Sequence, residues 1–445
     1  MFGFTAITLS TICVCGNADI LTGYGNNLFA SKTGYFWTHP AKQFILNQFN
    51  DLHYNNSTCK AIQLNFISRH AARYTGADDM DSFTLLQNKI KSSYKNTNYS
   101  FIQSWVNDYP TTKESSVTKL GIEEMNYLGE KFGYALLDLL RSKLNTVKLR
   151  CSHSQRTNTS AQAFFKGLSK AVNNSNVLHV LPAVDDRVTH FYKGCSNYES
   201  KVEYNKTYMH EMYDFQKTPT FMNMVNGIAD RLGMLHILTA DDAKMMYLLC
   251  ATEVAIRNRS EWCTLQTDSD REILEYENDL EDYYLRLYGH PVTAAMTCPL
   301  VQDVFRSLDH ALYRSKSNQT YPVVDARFGH SPTIGALLAA LGLFKDVHPL
   351  TAKNYQTMKH RLFFDSSVIP FSANVAFILY ECGHGTPKTN FLKLYVNEEP
   401  VVIPACNSVT CEYSVVRRYY SDMVDKCDWN NVCKSVHFSP SNIVG

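Results

Sequence analysis

The 445-residue chain has almost no net charge: 43 basic and 42 acidic side chains leave a formal +1. That balance excludes the global basic field that holds nucleic acid and the acidic tail of a solvating protein. Any anionic ligand must be met by a local cluster of cations. No apolar run reaches the ~20 residues that cross a bilayer. The last residues, Ser439 to Gly445, read as neither a GPI-type hydrophobic tail nor an ER-retention tetrapeptide. Internal repeats and low-complexity stretches are absent. So are H-E-x-x-H, paired C-x-x-C and P-loop patterns, which removes the signatures of zinc proteases, dithiol sites and phosphate-cradling nucleotide loops. Gly23-Tyr-Gly25 is a turn rather than a nucleotide loop, and His210-Glu211 reads as a surface pair. The acidic run Asp268 to Asp282 lacks the central glycine of an EF-hand loop and reads as a solvated helix face.

What is present is a globular composition, 45% hydrophobic with 27 Tyr and 24 Phe. The length exceeds one ordinary core and predicts a large domain with a second or inserted one. The first charged residue is Asp19. The apolar stretch Phe2 to Val14, followed by small residues at Gly16 and Ala18, predicts a signal peptide over residues 1–18, although no basic residue precedes it. Eight sequons, at Asn55, Asn56, Asn98, Asn158, Asn173, Asn205, Asn258 and Asn318, agree with secretion. Of 13 cysteines, Cys13 and Cys15 leave with the signal. The 11 that remain predict disulfides with one thiol left over, in a secreted protein or a secretory-pathway lumen. Cys406, Cys411, Cys427 and Cys433 are spaced poorly for zinc.

One device recurs three times: an apolar strand, a polar loop, a helix. Ile62 to Ile67 leads into Ser68-Arg69-His70-Ala71-Ala72-Arg73-Tyr74. Val147 to Cys151 leads into Ser152-His153-Ser154-Gln155-Arg156, with a helix from about Thr157. Tyr321 to Val324 leads into a loop, Asp325 to His330, and a helix with Ser331 as N-cap and Pro332 as its first residue. Such units predict an α/β sheet with ligands beyond the carboxyl ends of its strands, where His70, Arg156 and His330 would meet. A helical stripe runs through Ile122, Met125, Leu128, Phe132, Ala135 and Leu139. The resulting division is an α/β domain from residues 19–75, 120–188 and 310–445, with a mostly helical cap from 76–119 and 189–309.

Arg69-His70-x-x-Arg73 is the sharpest local signal. Phosphoryl transfer needs a nucleophile and fixed positive charge around the equatorial oxygens, and a histidine between two arginines supplies both. The planar guanidinium fork matches phosphate bidentately. Alone, the pattern also describes a basic surface turn. Its setting resembles the R-H-G-x-R-x-P signature of the histidine acid phosphatases, with Ala71 at the glycine position and Thr75 at the proline. Ser152 to Arg156, followed by Thr-Asn-Thr-Ser160-Ala161-Gln-Ala163-Phe164, is similar to that family's second arginine segment. Gly329-His330-Ser331-Pro332-Thr333 is similar to its late H-A-E-T. Lys32-Thr33-x-Tyr35, Glu261-Trp262-Cys263, Leu274-Glu275-Tyr276, Pro370-Phe-Ser-Ala-Asn374, Leu379-Tyr380-x-Cys382 and Val396-Asn397-Glu398 follow in order the pattern of the multiple inositol polyphosphate phosphatase branch.

The resemblance implies a histidine-phosphatase sheet domain with a helical cap and a phosphohistidine mechanism that uses no metal or cofactor. His70 would be the nucleophile. Arg69, Arg73, Arg156 and His330 would hold the phosphate, with Lys32 beside them. The ligand would be a small phosphorylated molecule of the phytate type. The resemblance also implies the disulfides Cys59–Cys382, Cys250–Cys263 and Cys406–Cys411. One departure matters: the family's proton donor follows the late histidine, and Ser331-Pro332 stands there instead. General acid help is worth ~10²–10⁴-fold. Three readings stay open: another donor, from His153 or the Asp185-Asp186 pair; water, in a slower enzyme; or a secreted homologue that binds phosphorylated ligands without turnover.

Overall fold

The computed structural model describes residues 28–50, 52–54, 57–93, 99–141, 146–173, 181–383 and 388–434. The signal peptide expected over 1–18 lies outside them, as do Asn55, Asn56 and Asn98 of the sequons.

The first strand of the main sheet, β1 (Lys60–Arg69), is buried at every position after Lys60. Its alternating apolar residues suggest one wet face, but both faces are covered. Gln63 donates to Pro322 O at 2.8 Å and Asn65 donates to Gln63 Oε1 at 2.8 Å, so the buried amides keep partners. Phe66 stacks on Phe164 of the helix that follows the second strand, centroids 4.4 Å apart. A fully buried ring of this kind contributes about 1.5–3 kcal/mol.

The other strands are β2 (Lys148–Cys151), β3 (Ala183–Val184), β4 (Val324–Gly329), β5 (Asn374–Cys382), β6 (Thr389–Val396), β7 (Glu399–Pro400) and β8 (Thr410–Glu412). The sheet order is β8-β6-β5-β1-β4-β2-β3, with β7 paired to β6. β1, β4 and β2 lie side by side and parallel, with Arg69 opposite Gly329 and Cys151 opposite Phe328. The three strand–loop–helix units therefore deliver their loops to one sheet edge at one level, as α/β topology requires. β5, β6 and β8 extend the sheet antiparallel on the far side of β1.

The helices that bear on the site are α1 (Ala77–Ser93), α2 (Lys119–Ala135), α3 (Gln155–Ala171), α4 (Asp186–Thr189), α5 (Pro219–Arg231), α6 (Ala240–Arg257), α7 (Asp268–Arg286), α8 (Cys298–Lys316), α9 (Ser331–Leu341) and α10 (Asp365–Val368). α2 and α3 cross where glycines face backbone. A Cβ on Gly129 would stand 2.0 Å from Phe164 O, and one on Gly167 2.1 Å from Asn126 O. Met125, Leu128, Phe132 and Ala135 are buried as the stripe predicts, whereas Ile122 is 37% exposed. No strand lies between Asp185 and Val323, and α4 to α8 fill that interval. Among the described residues no helix is long and apolar enough to cross a membrane.

Three sequence expectations need correction. Asp325 to Gly329 is strand β4, not loop. Its charges are tolerated because they are paired: Arg327 with Asp325 at 3.0 Å, Arg150 with Asp325 at 2.9 Å, and Arg150 with Asp303 of α8 at 2.7 Å. The helix α9 starts one residue early, so His330 is the N-cap and Ser331 the first helical residue; His330 N–H is held by Thr333 Oγ1 at 3.0 Å. The acidic run of α7 is no solvated face. Asp270, Glu275, Glu277, Asp279 and Asp282 are all buried. Glu275 accepts from Ala30 N at 2.7 Å, Ser366 N at 2.8 Å and the Tyr247 hydroxyl at 3.2 Å. Asp279 accepts from Asp365 N at 2.8 Å and pairs with Arg361. Backbone N–H groups and arginines from distant segments replace water around these carboxylates.

Among the described residues five disulfides close the fold. Cys59–Cys382, Cys250–Cys263 and Cys406–Cys411 are the pairs the resemblance implies, and Cys195–Cys433 and Cys298–Cys427 join them. Cys151, at the end of β2, is a buried free thiol.

Candidate functional site

The nucleophile candidate leaves β1 at the sheet edge. His70 N donates to Gly329 O at 2.9 Å, and Ser372 N donates to His70 O at 3.2 Å, so the loop is fastened to the strands on both sides. Behind it lies Gly121 of α2, where a Cβ would stand 2.3 Å from Ala72 O. Only glycine lets the helix approach the loop this closely. Ala71 N donates to Ser160 Oγ at 2.9 Å, which joins the first loop to α3.

His70 is 3% exposed, and its Nδ1 lies 2.9 Å from Ala71 O. A carbonyl only accepts, so Nδ1 carries the proton and Nε2 keeps its lone pair. Burial lowers the His70 pKa well below the usual histidine value, and Arg69, His330, Arg73 and Arg156 reinforce the shift. The imidazole therefore stays neutral in acid, with a lone pair on Nε2.

The cations converge around it. Arg69 donates to Ser31 O at 2.5 Å and Ile369 O at 2.7 Å, and its guanidinium lies 4.5 Å over the Phe371 ring. Arg73 donates to Tyr74 O at 2.7 Å. Arg156, at the start of α3, donates to His330 Nδ1 at 3.2 Å. A guanidinium only donates, so the His330 proton sits on Nε2, which faces Ser152 Oγ at 2.9 Å. Burial, Arg156 and His190 press the His330 pKa down to about 2. Lys32, on a 3-10 turn (Ala30–Lys32), shares one pocket lining with Arg73, Thr75 and Phe371 under Ala251, Thr252 and Ala255 of α6. Burial and the charges of Arg73, Arg69 and Arg286 lower its ammonium pKa to about 7.

The charge balance is unusual. Among the described residues no carboxylate makes a salt bridge to Lys32, Arg69, Arg73 or Arg156, and the buried Nε–H groups of all three arginines meet no acceptor. Desolvation and mutual repulsion draw Arg69 down to about 9 and Arg73 to about 10. A partly buried group of like charges held together this way is arranged for an anion. The first turn of α9 opens at the same edge and brings the positive end of its dipole there, although Pro332 has no N–H and Thr333 N donates to His330 O at 3.0 Å.

All six residues named from sequence, Lys32, Arg69, His70, Arg73, Arg156 and His330, come to this edge. The alternative donors separate. Asp185 is turned to Arg150 at 3.3 Å, away from the cations. His153 and Asp186 pair at 3.0 Å on the rim. Sequence reading passed over His190, whose ring lies 4.7 Å from that of His330. It also passed over Phe371 and Arg286. Phe371 stood inside the quoted Pro370-Phe-Ser-Ala-Asn374 without a role; His190 and Arg286 carry no local motif.

Comparison with known proteins gives a consistent outcome. The family model for the histidine phosphatase superfamily (branch 2) matches residues 61–397. Multiple inositol polyphosphate phosphatase 1 of Gallus gallus is 29% identical over 389 residues, 85% of each chain. The Homo sapiens protein of that name is 27% identical, covering 96% of this chain and 94% of its own. The crystal structure of the phytase from D. castellii matches with a TM-score of 0.70 at 16% identity, over 92% of this chain and 86% of that one. The multiple inositol polyphosphate phosphatase of Bifidobacterium longum, solved with inositol hexasulfate, matches at 0.63 and 15% identity, over 90% and 98%. These two likenesses show the fold.

Proposed function

We propose, since this chain belongs to the histidine phosphatase superfamily (branch 2), that it hydrolyses inositol polyphosphates through a phosphohistidine on His70. The observation that carries the reading is the neutral His70 Nε2 set among buried Arg69 and half-buried Arg73 and Arg156, none of which makes a salt bridge to a carboxylate among the described residues. Nε2 attacks phosphorus, the ester P–O bond breaks, and the alkoxide leaves with a proton. Water then attacks phosphorus, the P–N bond breaks, and inorganic phosphate departs. Arg69, Arg73 and Arg156 hold the equatorial oxygens throughout, with His330 and the start of α9 beside them. Lys32 stands on the side where further phosphates of the ring would lie. The relatives named for inositol polyphosphates support this substrate class over simple esters.

The segments 76–119 and 189–309 act as the cap, with α6 reaching the pocket wall through Ala251 and Ala255. The rim group of His153, Asp186 and His190 is the donor of the leaving-group proton. Five disulfides and the sequons support a secreted or lumenal site of action. A second reading, a homologue that binds phosphorylated ligands without turnover, draws on Ser331-Pro332 at the usual donor position. Phosphate release from inositol hexakisphosphate without added metal, set against nitrophenyl phosphate, separates the two. Release of phosphate from both supports the enzyme, and binding without release supports the second reading.

A further inference from the structure

We propose that His153, Asp186 and His190 form a binding site for a single zinc-class transition-metal ion on the rim of the phosphate pocket. The three side chains come from two neighbouring elements. His153 follows β2, and Asp186 and His190 stand at the two ends of α4. Their ligand atoms all lie within 4.8 Å of one another. His153 Nδ1 is 3.0 Å from one Asp186 carboxylate oxygen, and His190 Nδ1 is 3.6 Å from the other. Zinc takes nitrogen and carboxylate oxygen at ~2.0–2.2 Å, which sets tetrahedral ligand atoms roughly 3.3 Å apart. Both contacts stand near that spacing but run to different Asp186 oxygens, and the rings of His153 and His190 lie 5.2 Å apart. Closing the site needs a turn of His153 and of the Asp186 carboxylate, whose side chains are 64% and 44% exposed.

The carboxylate is also oriented from behind. His153 N donates to Asp186 Oδ1 at 3.1 Å, an outer hydrogen bond of the kind that fixes metal ligands. Two imidazoles and one carboxylate suit zinc and its neighbours; calcium and magnesium ask for oxygen alone. Three protein ligands leave a fourth position open, and the His190 ring lies 4.7 Å from that of His330. Arg156 and Lys193 act on His190 with opposing charge, so affinity stays below that of a closed four-ligand site. On the phosphatase reading above, an occupied site engages the residues at the leaving-group side and slows hydrolysis.

The test reads metal directly. The full chain, stripped with a chelator and gel-filtered, is titrated with zinc against a chromophoric indicator, and with cobalt by visible absorption. One zinc per chain is expected, with a dissociation constant of about 1 µM. His153→Ala combined with His190→Ala should weaken it about 100-fold and abolish the cobalt bands, and Asp186→Asn should weaken it less. His70→Ala should bind as the wild type does. Unfolding temperatures identify variants that fail to fold, and His190→Gln gives a milder second version. Zinc binding that survives the double variant, or its absence from the wild type at 100 times that concentration, overturns the site. Because no turnover enters this readout, the site can stand where the phosphatase reading fails, and the reverse.

Discussion

Two groups of arginines, one buried and one only partly so, sit on the same sheet and live by opposite rules. Arg150 and Arg327, within β2 and β4, are matched by Asp185, Asp303 and Asp325. Arg69, Arg73 and Arg156, at the carboxyl ends of the strands, have no carboxylate within salt-bridge distance among the described residues. The first group is settled by the chain itself, and its positive charge is spent holding strands in register. The second is left for something the chain does not contain. A paired charge inside a sheet is architecture, and an unpaired one at its edge is an invitation to an anion.

The sharpest way to break this contrast is at its centre. His70→Ala should abolish turnover of any phosphate ester, by about 10⁴-fold or more, while the protein still folds. Acid quench with labelled substrate should trap phosphate on the wild type alone, and equal labelling of the variant removes His70 from the mechanism. The two arginine groups should then respond oppositely. Arg327→Met leaves Asp303 and Asp325 short of a partner and should cost about 3–5 kcal/mol of stability. Arg156→Ala should leave the unfolding temperature unchanged or higher, since it relieves repulsion, yet raise the inhibition constant of inorganic phosphate about 10²-fold. Matching losses of stability in both would erase the distinction.

Pro332→Glu asks whether the leaving-group side can be returned to the family pattern. The carboxyl would enter the first turn of α9, next to His330. Because the rim group already supplies a proton, it should raise single-turnover cleavage of inositol hexakisphosphate by no more than about 10-fold at acidic pH, where it is protonated, and leave nitrophenyl phosphate unaffected; a gain of ~10²-fold would show that the rim group is no donor. A wild type that already cleaves both at similar chemical rates has a working donor elsewhere.

The smallest effect concerns a third kind of buried charge. Glu124 of α2 is buried, and its carboxyl pKa is raised by burial to about 8. The unfolded chain loses this proton near the ordinary carboxylate value and the folded chain only near 8, so folded stability falls as pH rises between the two. Glu124→Gln removes that slope. Its unfolding temperature should match the wild type near pH 4 and exceed it near pH 8; a constant difference would show that Glu124 is charged in the fold.

Lys32 apart, which lies on a 3-10 turn, the parts of the site that sequence revealed share a property: each is a short motif directly after a strand, so local pattern and topology agree. Arg69-His70-x-x-Arg73, Ser152 to Arg156 and His330 are legible for that reason, and the parallel neighbours β1, β4 and β2 explain why they meet. What stayed hidden depends on partners far along the chain. Asp325 and Arg327 looked like loop because their neutralising partners, Arg150 and Asp303, lie in other elements. The acidic face of α7 looked wet because its donors come from Ala30, Arg361, Asp365 and Ser366. A one-residue error at the start of α9 followed from reading Ser331 as the cap when His330 takes that place.

The place of β1 in the sheet has a consequence for how the protein is made. It is the first strand of the main sheet to be synthesised, yet its neighbours on the two sides are β4, which starts at Val324, and β5, which starts at Asn374. The bond that fastens its near end, Cys59–Cys382, spans 323 residues. While the chain lengthens, β1 therefore waits with both edges unpaired, the condition in which strands join the wrong partners. Its high contact order makes folding slow. A chain halted between Arg156 and Val324 holds the His70 loop and Arg156 but lacks β4, the strand that lies between theirs and carries His330 at its end, so the site is complete only in the finished polypeptide.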